Sequence, residues 1–186
     1  MIFFAFYFFL SSARVAHDPL TEPNFPVIQN QGFTPELNKS FVRLPERAKG
    51  VVRDALYQLS LNSAGLAIYF KTDSSDIWVD FSVSGDLSMP HMAETGVSGV
   101  DLLGKNETGQ WSSLLSSFSF SAQNKKVSYA FNGIRKSSDK DGFEYRLYLP
   151  LYNTISDLVI SVNDGTSFKW IEKDCSKPIV MYGTSI

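Results

Sequence analysis

Residues 66–83 have the sequence LAIYFKTDSSDIWVDFSV, in which apolar and polar side chains alternate on both sides of a short polar turn. A period of two residues is typical of β-strands that bury one face and leave the other in water. The pattern therefore predicts two half-buried antiparallel strands that form a hairpin through the turn at residues 72–76. The side chains predicted to face the core are Leu66, Ile68, Phe70, Ile77, Val79, Phe81 and Val83.

Strand-like segments continue through most of the remaining chain. Glycine, asparagine and aspartate separate them, and only residues 46–59 have a composition compatible with a helix, of one or two turns at most. Many short strands with almost no helix predict an all-β protein, a β-sandwich of the jelly-roll type. The further strands are expected near residues 96–103, 113–121, 126–132, 143–151, 157–163 and 167–172.

The composition is that of a globular domain, and it argues against several kinds of partner. Hydrophobic residues make up 44% of the 186 residues and charged residues 19%, so the chain can form a packed core. The net charge of -2 gives no electrostatic reason to expect nucleic acid or an anionic membrane. Because the sequence has neither a glycine-rich phosphate loop nor metal ligands at metal spacing, we predict no cofactor and no metal.

The N-terminal segment predicts export. Residues 1–10 are almost all large and apolar, a length that suits a signal peptide and is too short to span a bilayer. Small residues follow at 11–13, so residues 1–13 are predicted to be a signal peptide, and the mature chain to be secreted or periplasmic without a membrane span. The usual basic start of a signal is missing, and a buried N-terminal strand is the alternative.

Residues 14–40 contain four prolines and show no sustained period. We predict that they form a polar linker or pack at a sheet edge, and that the sandwich itself occupies residues 41–175. Cys175, the single cysteine, cannot form an intrachain disulfide.

The C-terminal residues 176–186 are predicted to belong to a separate element. An apolar run followed by Gly183-Thr184-Ser185 predicts a short buried strand that presents Ser185 at its end, where α/β proteins place nucleophiles. A serine nucleophile needs a general base, and no histidine follows Ser185. We therefore expect one complete domain followed by the first strand of an absent second domain, without a working serine triad.

Five further residues are candidates for a binding site or an interface. His91 is either a packed loop residue or part of a loop at a domain interface close to a substrate cleft. Asp101 lies between apolar neighbours and either points outward or is buried with partners. Trp78 and Trp111, together with Tyr148, form either part of the core or a platform on which sugar rings could stack.

Six segments occur here in the order found in one family. They are FVRLP (41–45), NSAGL (62–66), MPHM (89–92), GVSGVDL (96–102), YLPLYN (148–153) and KPIVMYGTSI (177–186). Over residues 41–186 the chain resembles the N-terminal β-sandwich domain that precedes an SGNH (GDSL-like) hydrolase domain in secreted bacterial proteins. Leu103 departs from the pattern, because the family usually has tyrosine after Gly-x-Asp-Leu.

The resemblance implies a two-domain carbohydrate esterase, in which Ser185 matches the nucleophile of the hydrolase domain and the remaining catalytic groups lie beyond residue 186. It implies that this chain is a non-catalytic accessory domain, with the missing hydrolase domain and an acylated polysaccharide as its partners. A free-standing carbohydrate-binding β-sandwich is the alternative function, and a purely structural exported domain is a third.

Overall fold

The computed structural model describes residues 13–37, 39–135, 137 and 139–174. Its strands are Arg14–His17 (β1), Ile28–Gln29 (β2), Ala67–Thr72 (β3), Ile77–Val83 (β4), Asp101–Lys105 (β5), Trp111–Ser113 (β6), Ser117–Ser121 (β7), Lys126–Phe131 (β8), Phe143–Tyr148 (β9), Ile155–Asn163 (β10) and Phe168–Trp170 (β11). Its α-helices are Thr34–Leu37 (α1), Asp54–Ser60 (α2) and Glu94–Ser98 (α3), and Glu46–Ala48 is a short 3-10 helix. Within this part of the chain, no helix is long and apolar enough to cross a membrane.

The strands form two antiparallel sheets. Sheet 1 has the order β1-β10-β4-β8-β7, and sheet 2 has the order β11-β3-β9-β5-β6, with β2 also paired to β3. Alternate side chains of both sheets turn inward and make one apolar core. The predicted all-β sandwich is confirmed.

The alternation in residues 66–83 identified the buried face correctly. All seven side chains predicted to face inward are buried, with exposed fractions of 5% or less. The predicted hairpin is wrong, because β3 pairs with β9 in sheet 2 while β4 pairs with β10 and β8 in sheet 1. The polar turn crosses between the sheets instead. Its Ser74 is buried, and the hydroxyl of Ser74 accepts the N–H of Asn163 in sheet 1 at 3.0 Å.

The segment predicted as a polar linker carries strands of both sheets. Strand β1 is an edge strand of sheet 1, paired with β10, and β2 pairs with the start of β3 in sheet 2. Val27, Ile28 and Leu37 belong to the buried apolar residues. The edge-packing alternative therefore describes these residues better than the linker, because short strands between prolines can still pair along a sheet edge.

The remaining sequence predictions place most strands within a few residues of their observed bounds. The strand expected at residues 96–103 begins only at Asp101, because residues 94–98 form α3. The strand expected at residues 113–121 is two strands, β6 and β7, which pair with different sheets. The helical stretch within residues 46–59 is a 3-10 turn followed by the short helix α2.

Candidate functional site

Three loops meet at the end of the sandwich where β3, β5 and β10 begin and where β4 and β9 end. We call this region, residues 61–66, 84–100 and 149–154, the motif end, since most of the motif segments lie in it. Backbone hydrogen bonds of 3.1 Å join its loops, from the N–H groups of Ser63, Ser84 and Tyr152 to the carbonyl groups of Asn153, Thr154 and Val97, respectively.

The side chain of Asn153 is the centre of the motif end. It is 2% exposed, and its Oδ1 atom accepts the N–H of Gly85 at 2.8 Å. Its amide nitrogen donates to the carbonyl of Asp86 at 2.8 Å and to the hydroxyl of Ser98 at 2.7 Å. One buried side chain therefore ties both ends of the loop 84–100 to the loop 149–154.

Two buried serines extend this network. The hydroxyl of Ser98 donates to the carbonyl of Leu87 at 2.8 Å, and the hydroxyl of Ser63 donates to the carbonyl of Pro150 at 2.8 Å. Both serines are 0% exposed. Because loop carbonyls that would be buried without a partner are satisfied in this way, the loops at this end hold a fixed shape.

Gly99 is required by close packing. A β-carbon at this position would lie 2.2 Å from the carbonyl oxygen of Thr95 and 2.6 Å from the hydroxyl of Tyr129. The backbone of Gly99 is extended, with φ of -82°, so any residue could adopt its conformation. The contact with the backbone of α3 therefore excludes a side chain here. Two residues on, Asp101 is exposed, which agrees with the outward-pointing alternative.

His91 lies at the tip of a tight turn. Met89 and Met92 exchange two backbone hydrogen bonds, of 3.0 and 3.1 Å, across Pro90 and His91, and His91 is exposed. No hydrogen bond of the His91 side chain is found within the part of the chain that is described, so the ring is available at the surface of the motif end.

Exposed apolar side chains also lie at the motif end. Leu151 is 53% exposed and Tyr152 is 42% exposed, and both belong to the loop that Asn153 holds in place. Large apolar side chains on a rigid loop are typical of a protein contact surface.

The three aromatic residues predicted to form one platform lie on two faces. Trp78 is on the outer face of sheet 1, where the guanidinium of Arg14 covers its ring at 3.7 Å. Trp111 and Tyr148 lie on strands of sheet 2, and Tyr148 is the cross-strand partner of Asp101. The structure therefore brings Trp111, Tyr148 and Asp101 to one sheet and leaves Trp78 on the other.

Several predicted residues lie outside the described residues. Ser185, the 176–186 segment and most of the predicted signal peptide are among them, so their roles stay predictions. In the described ranges there is no group of three or more histidine, cysteine, aspartate or glutamate side chains that could hold a metal ion.

A cavity of about 300 Å³ lies away from the motif end, towards the opposite ends of β5 and β9. Its lining includes Gly104, Leu114, Phe143 and Tyr145. Tyr145 is 1% exposed, and its hydroxyl has no hydrogen-bond partner in the described part of the chain. Burial raises the pKa of Tyr145 to about 12, because the phenolate would lose its hydration there.

The raised pKa of Tyr145 predicts a loss of stability at alkaline pH. The unfolded side chain titrates near the ordinary tyrosine pKa of 10.0, so above that pH the unfolded state releases a proton that the folded state keeps. The contribution of Tyr145 to stability is therefore fully present below pH 10.0, and we expect roughly 3 kcal/mol of stability to be lost as the pH rises from there through the folded pKa of about 12. Urea unfolding would measure the free energy of unfolding below and above this pH range in the unaltered protein and in Tyr145→Phe. We expect the free energy to fall less in the variant, by this amount. Equal falls in both proteins would contradict the prediction.

The chain matches a known protein family over most of its length. The family described as GxDLY, the N-terminus of SGNH hydrolase-type esterases, matches residues 17–168. The chain belongs to this family. Gly99, Asp101 and Leu102 match the G, D and L of the name, while Leu103 replaces the tyrosine. The match begins at His17, within β1, so the GxDLY domain includes much of the segment predicted as a linker.

A solved structure shows the same fold in a larger protein, and a second one is similar to a lesser degree. A protein described as a GDSL-like lipase, from Bacteroides ovatus ATCC 8483, is similar with a TM-score of 0.66 at 21% identity, over 87% of this chain and 43% of that chain. A salicylyl-acyltransferase from a tetracycline biosynthetic pathway is similar with a TM-score of 0.46 at 16% identity, over 73% of this chain and 34% of that chain. This chain thus corresponds to less than half the length of either structure. No curated protein matches it.

Two important residues of the GxDLY domain were not singled out from the sequence. Asn153 lies in the quoted YLPLYN segment, and its place at the end of that motif was the available signal. Arg146 lies in the alternating strand β9, where nothing in the sequence distinguishes it from an ordinary solvated arginine.

Proposed function

We propose that this GxDLY domain is the non-catalytic N-terminal accessory module of a secreted or periplasmic SGNH-type ester hydrolase that acts on acylated carbohydrates. The observation that carries the proposal is the family match over residues 17–168, since the family is the N-terminal part of SGNH-type esterases. On this proposal the sandwich positions the hydrolase domain or its glycan and does not cleave esters itself.

The motif end is the proposed contact surface for the hydrolase domain. Its exposed Leu151 and Tyr152 supply apolar area, and the buried Asn153 network keeps their loop rigid. A preformed apolar surface loses little conformational entropy when a partner binds, which favours a stable contact. The exposed His91 turn lies on the same end and would contribute its rim.

The course of the chain supports this choice of surface. After β11 the chain runs along the edge of sheet 2, and the N–H of Asp174 is bound to the side chain of Gln29 at 3.2 Å. Gln29 pairs with Ala67, the first residue of β3, and β3 begins at the motif end. A domain that follows residue 174 would therefore start near this surface.

An ester-cleavage assay tests whether the hydrolase domain, and not the sandwich, carries the activity. We expect no hydrolysis of p-nitrophenyl acetate by the 186-residue chain and clear hydrolysis by a longer chain in which an SGNH hydrolase domain follows. In the longer chain, Ser185→Ala should abolish the activity, because Ser185 is the proposed nucleophile. Hydrolysis by the 186-residue chain that disappears with Ser185→Ala would overturn the proposal.

A negative charge introduced by substitution at the motif end should weaken the contact between the sandwich and the hydrolase domain. We expect Leu151→Asp to weaken the binding of a separately produced hydrolase domain by tenfold or more, since about 1.4 kcal/mol corresponds to a factor of ten and a buried charge costs more than that. Leu115→Asp is the matched control, because Leu115 is 94% exposed and lies between β6 and β7. Calorimetric titration measures both, and equal effects of the two variants would contradict the proposed surface.

A carbohydrate-binding module is the second candidate function. The observation that favours it is the presence of Trp111 and Tyr148 on the same sheet, because aromatic rings on one sheet face can stack against sugar rings. Glycan binding by the chain, lost in Trp111→Ala and kept in Trp78→Ala, would support this candidate.

A further inference from the structure

An arginine on the outer face of sheet 2 is packed between two aromatic rings. The guanidinium carbon of Arg146 lies 4.0 Å from the ring centre of Trp111 and 4.6 Å from that of Tyr69. Tyr69 is the direct cross-strand neighbour of Arg146, whereas Trp111 reaches it from β6 across β5. Two rings from different strands therefore fix the position and plane of one guanidinium.

The N–H groups of Arg146 lack good hydrogen-bond partners among the described residues. Its Nε–H is buried and has no hydrogen-bond partner among the described residues. Its nearest carboxylate, Glu144, lies 3.9 Å from a terminal nitrogen, longer than a hydrogen bond, and Glu144 is also shared with Lys105 at 3.6 Å. The side chain is 33% exposed. The buried Nε–H is out of reach of a ligand, so a planar anion would be bound through the two terminal nitrogens of the fixed guanidinium, which can donate two parallel hydrogen bonds.

The surroundings are also cationic relative to the rest of the chain. The outer face of sheet 2 and its border carry four cations, Lys71, Lys105, Arg146 and Lys169, and three carboxylates, Asp101, Asp141 and Glu144. The face thus has a small positive excess in a chain whose net charge is -2. Asp141 is already paired with Lys169 at 2.8 Å, so it does not compete for Arg146.

We propose that this face binds the carboxylate of a uronic acid residue in a glycan, with Arg146 holding the carboxylate and Trp111 contacting the sugar ring. The choice of a glycan rests on the proposed function, while the choice of an acidic sugar rests on the arginine and the excess of cations. Tyr69 and Tyr148 border the arginine and would complete the site. The hydrolase would then be held on an acidic, acylated polysaccharide through a surface distinct from the motif end.

Binding can be tested on the 186-residue chain with matched small probes. Nitrogen-proton correlation spectra would be recorded during titration with methyl β-D-glucuronide, with methyl β-D-glucoside and with acetate. We expect saturable shifts of β5, β6 and β9 amides with the glucuronide, and about tenfold weaker binding or more for the other two probes, since each lacks either the carboxylate or the ring.

Two arginine variants distinguish binding at this site from nonspecific attraction of the anionic probe to positive charges on the protein. Arg146→Lys keeps the charge but loses the planar donor pair, and we expect it to weaken glucuronide binding about tenfold or more. Arg14→Lys is the matched control, because Arg14 also covers a tryptophan, Trp78, on the other sheet, and it should leave binding unchanged. Trp111→Ala, at the sheet edge, should weaken binding as well, and an unshifted melting temperature would establish that each variant is folded.

The proposal is overturned by any of four results: no saturable shift with the glucuronide, equal affinity for the glucoside, equal affinity for acetate, or an equal loss in Arg14→Lys. These results are independent of the proposed esterase association, because binding is measured on a chain from which no hydrolysis is expected.

Discussion

Replacing Asn153 with alanine is expected to lower the free energy of unfolding by about 3 kcal/mol. The change removes three hydrogen bonds at once and leaves the Gly85 N–H, the Asp86 carbonyl and the Ser98 hydroxyl without their partner. The bond to Ser98 is buried and the bonds to Gly85 and Asp86 are partly buried, and the loss of each hydrogen bond costs about 1 kcal/mol. Asn153→Asp should be destabilised as well, because the carboxylate has nearly the same shape but cannot donate to Asp86 or Ser98.

Urea unfolding followed by tryptophan fluorescence measures this loss. Asn132→Ala is the control, since Asn132 is exposed in a loop after β8, and we expect it to change the free energy of unfolding by less than about 0.5 kcal/mol. If Asn153→Ala were as stable as Asn132→Ala, the buried network would not hold the motif end together.

The second large effect is expected at Gly99, the first residue of the GxDLY motif. A β-carbon there would overlap the carbonyl oxygen of Thr95 at 2.2 Å, and this atom belongs to the backbone and cannot move aside as a flexible side chain would. We expect Gly99→Ala to lower the free energy of unfolding by about 3 kcal/mol, at the upper end of the usual cost of overpacking.

Gly32→Ala provides the comparison for Gly99→Ala. A β-carbon at Gly32 would meet no atom within 4 Å, so this variant should be neutral within about 0.5 kcal/mol. Thermal or urea unfolding of the two variants shows why residue 99 is a glycine, either because a side chain would collide with its neighbours or because the backbone conformation requires one. Similar stabilities would mean that the packing of α3 against Gly99 is not the constraint.

The faces of the strands were easier to predict than their partners. Ile68 and Val79 were placed in the core from alternation alone, and both are 0% exposed. The same alternation could not reveal that β3 and β4 lie in different sheets, because a polar turn between two alternating segments suits a hairpin and a crossover equally well. The hydrogen bond from the backbone of Asn163 to Ser74, which joins residues 89 positions apart, is a contact that no local pattern contains.

The sequence identifies the segments that form the candidate sites, but it does not reveal how their side chains contact one another. The YLPLYN and GVSGVDL segments were recognised, but the hydrogen bond between Asn153 and Ser98 depends on two loops folding against each other. Arg146 gave no signal, since its significance comes from the rings of Tyr69 and Trp111 on neighbouring strands. The sequence does not tell which sheet carries Trp78 and which carries Trp111, so it cannot separate the two.

The proposed contact between the motif end and the hydrolase domain is the central claim, and hydrogen exchange tests it most directly. Backbone exchange would be compared between the 186-residue chain and a chain in which the hydrolase domain follows the same sandwich. We predict slower exchange in the longer chain at residues 88–95 and 149–153, with exchange in the β6–β7 connection unchanged. Unchanged exchange at the motif end, or slower exchange confined to the β6–β7 connection, would contradict the account.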